Sequence, residues 1–302
     1  MIKDFKHLLE EAQKNEPVIM SVAVAQDDHV LDAVKEAMAL KLITPILVGD
    51  EAKIREIAKE VGLNLDGIRI IHEEDITEAA KIATKLVHDK EADLLMKGIV
   101  DTSIIMKQVL NKEYGLRSGN VISHIAVLSV PTYHKLFVLT DAAMNIAPDL
   151  ETKAKILRNA VDFTHSLGIE NPKVGILAAK EKVSDSMPAT LDAQALVEMN
   201  KNGEIDGCIV DGPFALDNAM SAESAKIKGM VSDVAGDCDI LLAPAIEAGN
   251  VGYKAITVLG GGKVGGLILG ASAPIVLTSR ADSAESKLYS IALGAMKASH
   301  KA

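Results

Sequence analysis

A doubly wound α/β architecture is what this sequence predicts, and three observations carry the prediction. Strand-like and helix-like segments alternate almost from the N-terminus, the pattern of βα units around a parallel sheet. The chain is 48% hydrophobic but only 3% aromatic, with no Trp, so its core must be built from Val, Ile, Leu, Ala and Met. Polar or glycine-bearing turns follow one strand after another, at the sheet edge where such folds bind ligands.

Residues 5–14 carry an amphipathic helical period, and residues 18–25 read as a strand. Residues 30–42 follow as a helix, 46–48 as a strand, 52–61 as a helix stopped by Gly62, and 68–71 as a strand. Residues 76–88 are predicted as a helix, 93–96 as a strand and about 102–114 as a helix. Crossovers between such units are right-handed, which makes a doubly wound sheet the default. After Gly115 the rhythm breaks: 121–130 and 136–139 read as a hairpin joined around Pro131. A long helix then runs to Leu167, with Asp149 as its N-cap and Gly168 closing it. Next come a strand at 174–178, a helix at about 189–199, strands at 208–210 and 240–242, and a helix at about 252–259. A short strand at 275–277 precedes the final helix, which Asp282 and Glu285 open as N-cap and capping box. The break at the hairpin predicts two α/β domains in close contact, 1–137 plus about 286–302 and 138–285.

Several function classes are disfavoured at once. The formal net charge is −10 without a concentrated basic patch, which argues against nucleic acid as a partner. The N-terminal Met1-Ile2-Lys3-Asp4-Phe5-Lys6-His7 is charged where an export signal needs an apolar run. The longest uncharged stretch, 264–279, contains Gly and Pro and falls short of the ~20 apolar residues of a membrane span. Cys208 and Cys238 sit in apolar strand-like runs and are expected to be buried reduced thiols. The expectation is a cytoplasmic protein that acts on small molecules, without a membrane.

Five turns hold the chemistry. Lys97-Gly98-Ile99-Val100-Asp101-Thr102-Ser103 leaves a strand and opens a helix. Its backbone N–H groups with Lys97, Thr102 and Ser103 can hold an anion, or the run is an ordinary βα turn capped by Thr102 or Ser103. Asp141 and Asn145 occupy a similar position before Pro148. Asp211 precedes Gly212-Pro213, either as part of a rigid turn or as a crevice residue able to orient a cation. In Pro244–Lys254, Gly249, Asn250 and Gly252 permit close backbone approach to a ligand at a helix N-terminus. Ser279-Arg280 stands where a strand gives way to a helix, in a chain with five arginines against twenty-seven lysines; the alternative is a solvated charge beside a capped helix.

Other motifs fail on mechanism. Gly260, Gly262 and Gly265 satisfy G-x-G-x-x-G, but too few residues separate Gly265 from Pro274 for the crossover helix of a dinucleotide site. Val264 follows Lys263 where a P-loop needs Ser or Thr, so a packing or mobile turn is expected. The histidines show no metal-ligand spacing, and no G-x-S-x-G elbow occurs.

Taken in order, the loops at 97–103, 141–149, 211–213, 247–254 and 278–285 resemble the phosphate acyltransferase family of phosphotransacetylases and phosphate butyryltransferases. Ile246-Glu247-Ala248-Gly249-Asn250-Val251-Gly252-Tyr253-Lys254 and Thr278-Ser279-Arg280-Ala281-Asp282-Ser283 are the most specific parts, and the second is similar to the butyryl branch. The resemblance implies two α/β domains of the isocitrate/isopropylmalate dehydrogenase type, with the active site in the cleft between them, and reversible transfer of a short acyl group between coenzyme A and inorganic phosphate. Transfer would be direct, with no acyl-enzyme. Ser279 and Arg280 would be catalytic, and Lys97, Thr102, Asp141, Asn145, Asp211, Gly249, Asn250, Tyr253 and Lys254 would bind substrate. Acyl-CoA, phosphate and acyl phosphate would be the partners, with coenzyme A a substrate and not a resident cofactor, no metal, and a homo-oligomeric assembly serving short-chain fatty acid metabolism.

One departure stands out. The phosphotransacetylases place a catalytic Asp seven residues after this Ser, and here that position is Ser286. Glu285 is the adjacent candidate for the base and Asp282 a second. Three rivals follow: an acetyl-specific member of the family, a metal- and nicotinamide-dependent decarboxylating dehydrogenase, and a non-catalytic protein that binds coenzyme A or acyl phosphate. The dehydrogenase would need clustered Asp ligands and several arginines, which this chain does not supply.

Overall fold

The computed structural model describes residues 2–278 and 282–300; Ser279 and Arg280 lie outside the described residues. From the N-terminus, α1 (Phe5–Ala12), β1 (Val18–Ala23), α2 (Asp28–Ala39), β2 (Ile43–Gly49), α3 (Glu51–Val61), β3 (Arg69–His72), α4 (Ile76–His88), β4 (Leu94–Lys97) and α5 (Thr102–Val109) alternate as the periodicity predicts. Then β5 (Ser123–Ser129) and β6 (Phe137–Thr140) form the expected antiparallel hairpin. After them come α6 (Leu150–Ser166), β7 (Lys173–Leu177), α7 (Pro188–Lys201), β8 (Ile209–Phe214), α8 (Leu216–Met220), α9 (Ala222–Ile227) and β9 (Ile240–Leu242). The chain ends through α10 (Ile246–Lys254), a π-helical turn at Ala255–Leu259, β10 (Lys263–Leu269), β11 (Ile275–Val276) and α11 (Ala284–Ser299).

The chain divides into two compact units. One comprises Phe5–Asn120 with Gly265–Ala302, and its strands follow the order β3-β2-β1-β4-β11-β10. β1 pairs in parallel with β2 and β4, β2 with β3 and β11 with β4, while β10 runs antiparallel to β11. Met20, Val22 and Ala23 of β1 are fully buried, as a central parallel strand covered on both faces requires. α2 turns Val30, Leu31, Ala33, Val34 and Ala37 inward, the three-and-four spacing of a helix with one apolar face. α11 packs on α1 and α2, with Tyr289 stacked on Phe5 at 4.1 Å between ring centroids.

The other unit contains Val121–Val264 and orders its strands β5-β6-β9-β7-β8. β6, β9, β7 and β8 are mutually parallel, and β5 is antiparallel to β6. Phe137, Leu139, Phe214, Leu241 and Cys238 meet in its core. Gly175 is required there, because a Cβ would stand 2.6 Å from the Cys238 sulfur. Both cysteines are free and buried, as expected.

Six local expectations are corrected. α10 begins at Ile246 instead of 252: Gly249 reads as a loop residue by propensity, but the helix lies against the Asp141 carbonyl where no Cβ would fit. β8 continues through Asp211-Gly212-Pro213, so these residues are strand and not turn; β8 is an edge strand, which tolerates the missing N–H of Pro213. β10 passed unpredicted because Gly265 and Gly266 interrupt its apolar pattern; at Gly265 a Cβ would meet Leu293 and the backbone of α11 at 2.8–3.1 Å. α5 stops at Val109, since the Asn111 side chain accepts from the N–H groups of Glu113 and Tyr114 and turns the chain. Its N-cap is Asp101, not Thr102 or Ser103. Finally, α11 is capped by Ser283, whose hydroxyl accepts from Ser286 N–H, so Asp282 and Glu285 form no capping box.

Candidate active site

Asp141 follows the last residue of β6, and α10 follows the neighbouring parallel strand β9. Two strand exits are therefore side by side, and the chemistry gathers there. Asp141 is 3% exposed, a burial a carboxylate sustains only when its oxygens are satisfied. Oδ1 accepts from the N–H groups of Ala143 and Met144 at 2.8 and 2.9 Å. Oδ2 accepts from His124 N–H at 3.2 Å and from Asn145 Nδ2 at 2.6 Å. Asn145 also donates to the Ile122 carbonyl at 2.9 Å, which ties the loop to the start of β5.

α10 closes on this loop. Asn250 Nδ2 donates to the Ala142 carbonyl at 3.0 Å. A Cβ on Gly249 would stand 2.3 Å from the Asp141 carbonyl oxygen, so the close approach that glycine permits here is to the protein's own backbone. Tyr253 lies edge-on to the His124 ring, 6.3 Å between centroids. The exposed Lys254 ammonium sits 4.8 Å from the Tyr253 ring centroid, a cation–π distance. Asp141, Asn145, Gly249, Asn250, Tyr253 and Lys254 are thus brought together. His124 joins them unpredicted: a lone histidine inside an apolar strand gives no spacing signal.

In the other unit, Lys97 ends β4 and is 4% exposed. Its ammonium donates to the carbonyls of Gly98 and Val100 at 3.3 and 3.1 Å, closing the turn onto α5, where exposed Thr102 is the first residue. Gly98 is needed because a Cβ would meet the Val24 carbonyl at 2.2 Å. On α11, exposed Glu285 accepts from the Tyr289 hydroxyl at 2.7 Å, and Tyr289 is in turn held by Phe5. Ser283 and Ser286 pair at the N-cap, with their hydroxyl oxygens 3.3 Å apart.

Asp211 stands apart from the Asp141 group. It lies within β8, two strands beyond β9, and its Oδ1 accepts from Gly212 N–H at 2.8 Å. An apolar pocket of about 860 Å³, lined by Val130, Tyr133, Phe137, Met220 and Ile256 among others, opens at the β5–β6 turn, the end of β6 away from Asp141. Among the described residues no group of three or more His, Cys, Asp or Glu is placed to hold a metal ion. No described helix is long and apolar enough to cross a membrane.

Polar loops at the exits of parallel strands, beside helix starts, stand where α/β folds bind small-molecule ligands. The family model described as Phosphate acetyl/butaryl transferase matches residues 4–81 and 73–295. Over 301 residues the chain is 46% identical to the phosphate butyryltransferase of Clostridium acetobutylicum, covering 100% of each. It is 42% identical over 292 residues to the phosphate acetyltransferase of Thermotoga maritima, covering 97% of this chain and 99% of that one. Among solved structures, a branched-chain phosphotransacylase from Enterococcus faecalis superposes with a TM-score of 0.83 at 33% identity, over 94% of this chain and 100% of that chain. The chain belongs to the phosphate acetyl/butyryl transferase family.

Proposed function

We propose that this protein is a phosphate acyltransferase that moves a short acyl group, butyryl foremost, between coenzyme A and inorganic phosphate. The observation that carries the reading is the alignment to a phosphate butyryltransferase along the whole of both chains, so every loop described above falls inside the match. Relatives named for butyryl transfer reach 46–48% identity against 40–42% for those named for acetyl transfer, which favours the four-carbon substrate. One methylene in an apolar pocket is worth only about 1–3 kcal/mol, so some use of neighbouring chain lengths accompanies that preference.

In the acyl-phosphate-forming direction, a phosphate oxygen attacks the thioester carbonyl and coenzyme A leaves as the thiolate. In reverse, the thiolate attacks the acyl phosphate and inorganic phosphate leaves. A thiol of pKa ~8.5 is mostly protonated at neutral pH, so a base or a cation assists the reverse step. In this reading Arg280 binds phosphate through two parallel hydrogen bonds and offsets charge on the tetrahedral intermediate. Ser279 donates to the sulfur or the carbonyl oxygen, and transfer is direct. Glu285 is the proposed base, with Asp282 the second candidate. Support comes from the sequence alone: Ser286 stands at the position of the family's Asp and carries no carboxylate, and Glu285 is the residue beside it.

Coenzyme A and phosphate act as substrates, and no resident cofactor or metal is invoked. Lys97, Thr102, Asp211 and Lys254 are proposed to face substrate, while Asp141, Asn145, Gly249, Asn250 and Tyr253 shape the loop that receives it. A cytoplasmic homo-oligomer in short-chain fatty acid metabolism fits these substrates. Val258 and Leu259, 73% and 85% exposed on the π-helical turn next to the apolar pocket, offer apolar surface to such an assembly. Substituting Arg280→Ala tests the site: turnover should fall by about 10²-fold or more with an unchanged melting temperature. Near-normal turnover would remove Arg280 from the mechanism.

A further inference from the structure

The core of the 121–264 unit comes to the surface at its apolar pocket. Phe137 belongs to the buried cluster, and Val130, Tyr133, Met220 and Ile256 pack on that cluster half-buried; the same five side chains line the pocket of about 860 Å³. Its other walls come from α8 and the π-helical turn after α10. Val258 and Leu259 stand out from that turn, between the lining residues Ile256 and Gly260. Leu216 on α8, Ile227 at the end of α9 and Val231 beyond it are each half or more exposed. Among the described residues, every Val, Leu or Ile at least half exposed lies in 121–264, and none in the other unit passes 47%. The pocket has one ionised lining residue, Asp217, which Lys228 pairs at 3.1 Å. A cover therefore meets no unpaired charge.

We infer that this surface is a twofold interface between two copies of the chain, with Val258 and Leu259 of each copy seated in the other's pocket. The inference gives a surface to the homo-oligomer proposed above and rests on that part of the reading. An isologous contact needs a patch complementary to itself, and an apolar protrusion beside an apolar hollow is such a patch. A small ligand would fill the hollow and leave Val258, Leu259, Ile227 and Val231 in water, whereas a second copy covers both. The area is also of the right size. A fully buried aliphatic side chain removes about 60–120 Å² from water, so Leu216, Ile227, Val231, Val258 and Leu259 supply roughly 250–450 Å² before the pocket walls are counted. A stable homodimer buries about 800 Å² per partner, about 65% of it apolar, or roughly 500 Å².

Sedimentation velocity on the full chain tests the inference. Wild type should run as a dimer or a multiple of one. Leu259→Asp puts a carboxylate where the protrusion enters an apolar pocket and should at least halve the particle mass, with a dissociation constant raised by about 100-fold or more. Leu259 is exposed in the single chain, so the change leaves the core intact, and circular dichroism checks that the variant is folded. Should it not fold, Val231→Asp on the other segment carries the same prediction and the same refutation. Ile76→Asp, at an exposed aliphatic of the other unit, should keep the wild-type mass; a loss shared by this variant overturns the inference. Wild-type mass in both Leu259→Asp and Val231→Asp would place the contact elsewhere, overturning the inference while the homo-oligomer stands. A monomeric wild type would overturn both, and uptake of an apolar dye by that monomer would give the pocket to a small ligand. None of these results bears on acyl transfer, which is read from thiol release, so the failures are distinguishable.

Discussion

Asn145 Nδ2 donates to Asp141 Oδ2 across 2.6 Å, the shortest of the four hydrogen bonds that the buried carboxylate accepts. Two residues that the sequence singles out as ligand contacts are therefore bonded to each other. With both oxygens engaged, Asp141 organises the loop after β6, and the loop in turn receives α10.

Asp141→Ala should consequently act on stability first. It leaves the N–H groups of His124, Ala143 and Met144 and the Asn145 amide without their acceptor, at about 3 kcal/mol or more in total. Asn145→Ala removes one donor from a carboxylate that keeps three, and should cost about 1–2 kcal/mol. Chemical denaturation of both variants measures the order; equal losses would contradict it.

Gly249 and Gly252 lie one helical turn apart in α10 and should respond oppositely to alanine. At Gly249 the new Cβ meets the Asp141 carbonyl at 2.3 Å and the Ala142 Cα at 3.1 Å. Both are backbone atoms that cannot swing aside, so a loss of about 1–3 kcal/mol is expected. At Gly252 the nearest neighbour is the Leu139 side chain at 3.8 Å, an ordinary contact, so helix propensity should make the change neutral or stabilising by up to about 1 kcal/mol. Thermal melts of the two variants check the contrast.

Asp237 sets an acid-dependent part of the stability. Its partial burial would raise its pKa, but hydrogen bonds and charge from Lys173 and Lys135 outweigh that and hold it at about 2. The ammonium groups stand 2.7 and 2.9 Å from its oxygens. Because the folded pKa lies below the unfolded one, the contribution is fully present above the usual carboxylate range. It is lost as pH falls from about 4 through about 2. Partial exposure screens the effect. Asp237→Asn should flatten stability against pH in that window and leave its slope above about pH 5 unchanged, as urea titrations across the range would show.

Much of the fold is legible from periodicity, because long amphipathic segments with side-chain caps leave few alternatives. The expected helix at 76–88 is found at those bounds, with Asp75 capping Glu78 N–H. Asp149 caps α6 as expected. Glycine is where the sequence misleads. Gly249 sits inside a helix and Gly265 inside a strand for the same reason: a neighbouring backbone or packed side chain occupies the space of a Cβ, and local pattern carries no trace of a neighbour distant in the chain. Pro213 misleads likewise, since only the sheet order reveals that β8 is an edge strand. In the candidate site, Asp141, Asn145, Gly249, Asn250, Tyr253 and Lys254 were readable as polar strand exits. His124 was not, because it is recognisable only by what tertiary packing brings to it. The expected pair Ser279 and Arg280 falls outside the described residues, so its role rests on chemistry and resemblance.

The central claim is tested most directly by following free thiol released from acetyl-, butyryl- and longer acyl-CoA with and without inorganic phosphate. A phosphate acyltransferase of the butyryl kind releases coenzyme A only when phosphate is present, fastest with the four-carbon substrate, and forms acyl phosphate in equal amount. A folded sample that binds coenzyme A but releases no thiol from any acyl-CoA would contradict the account.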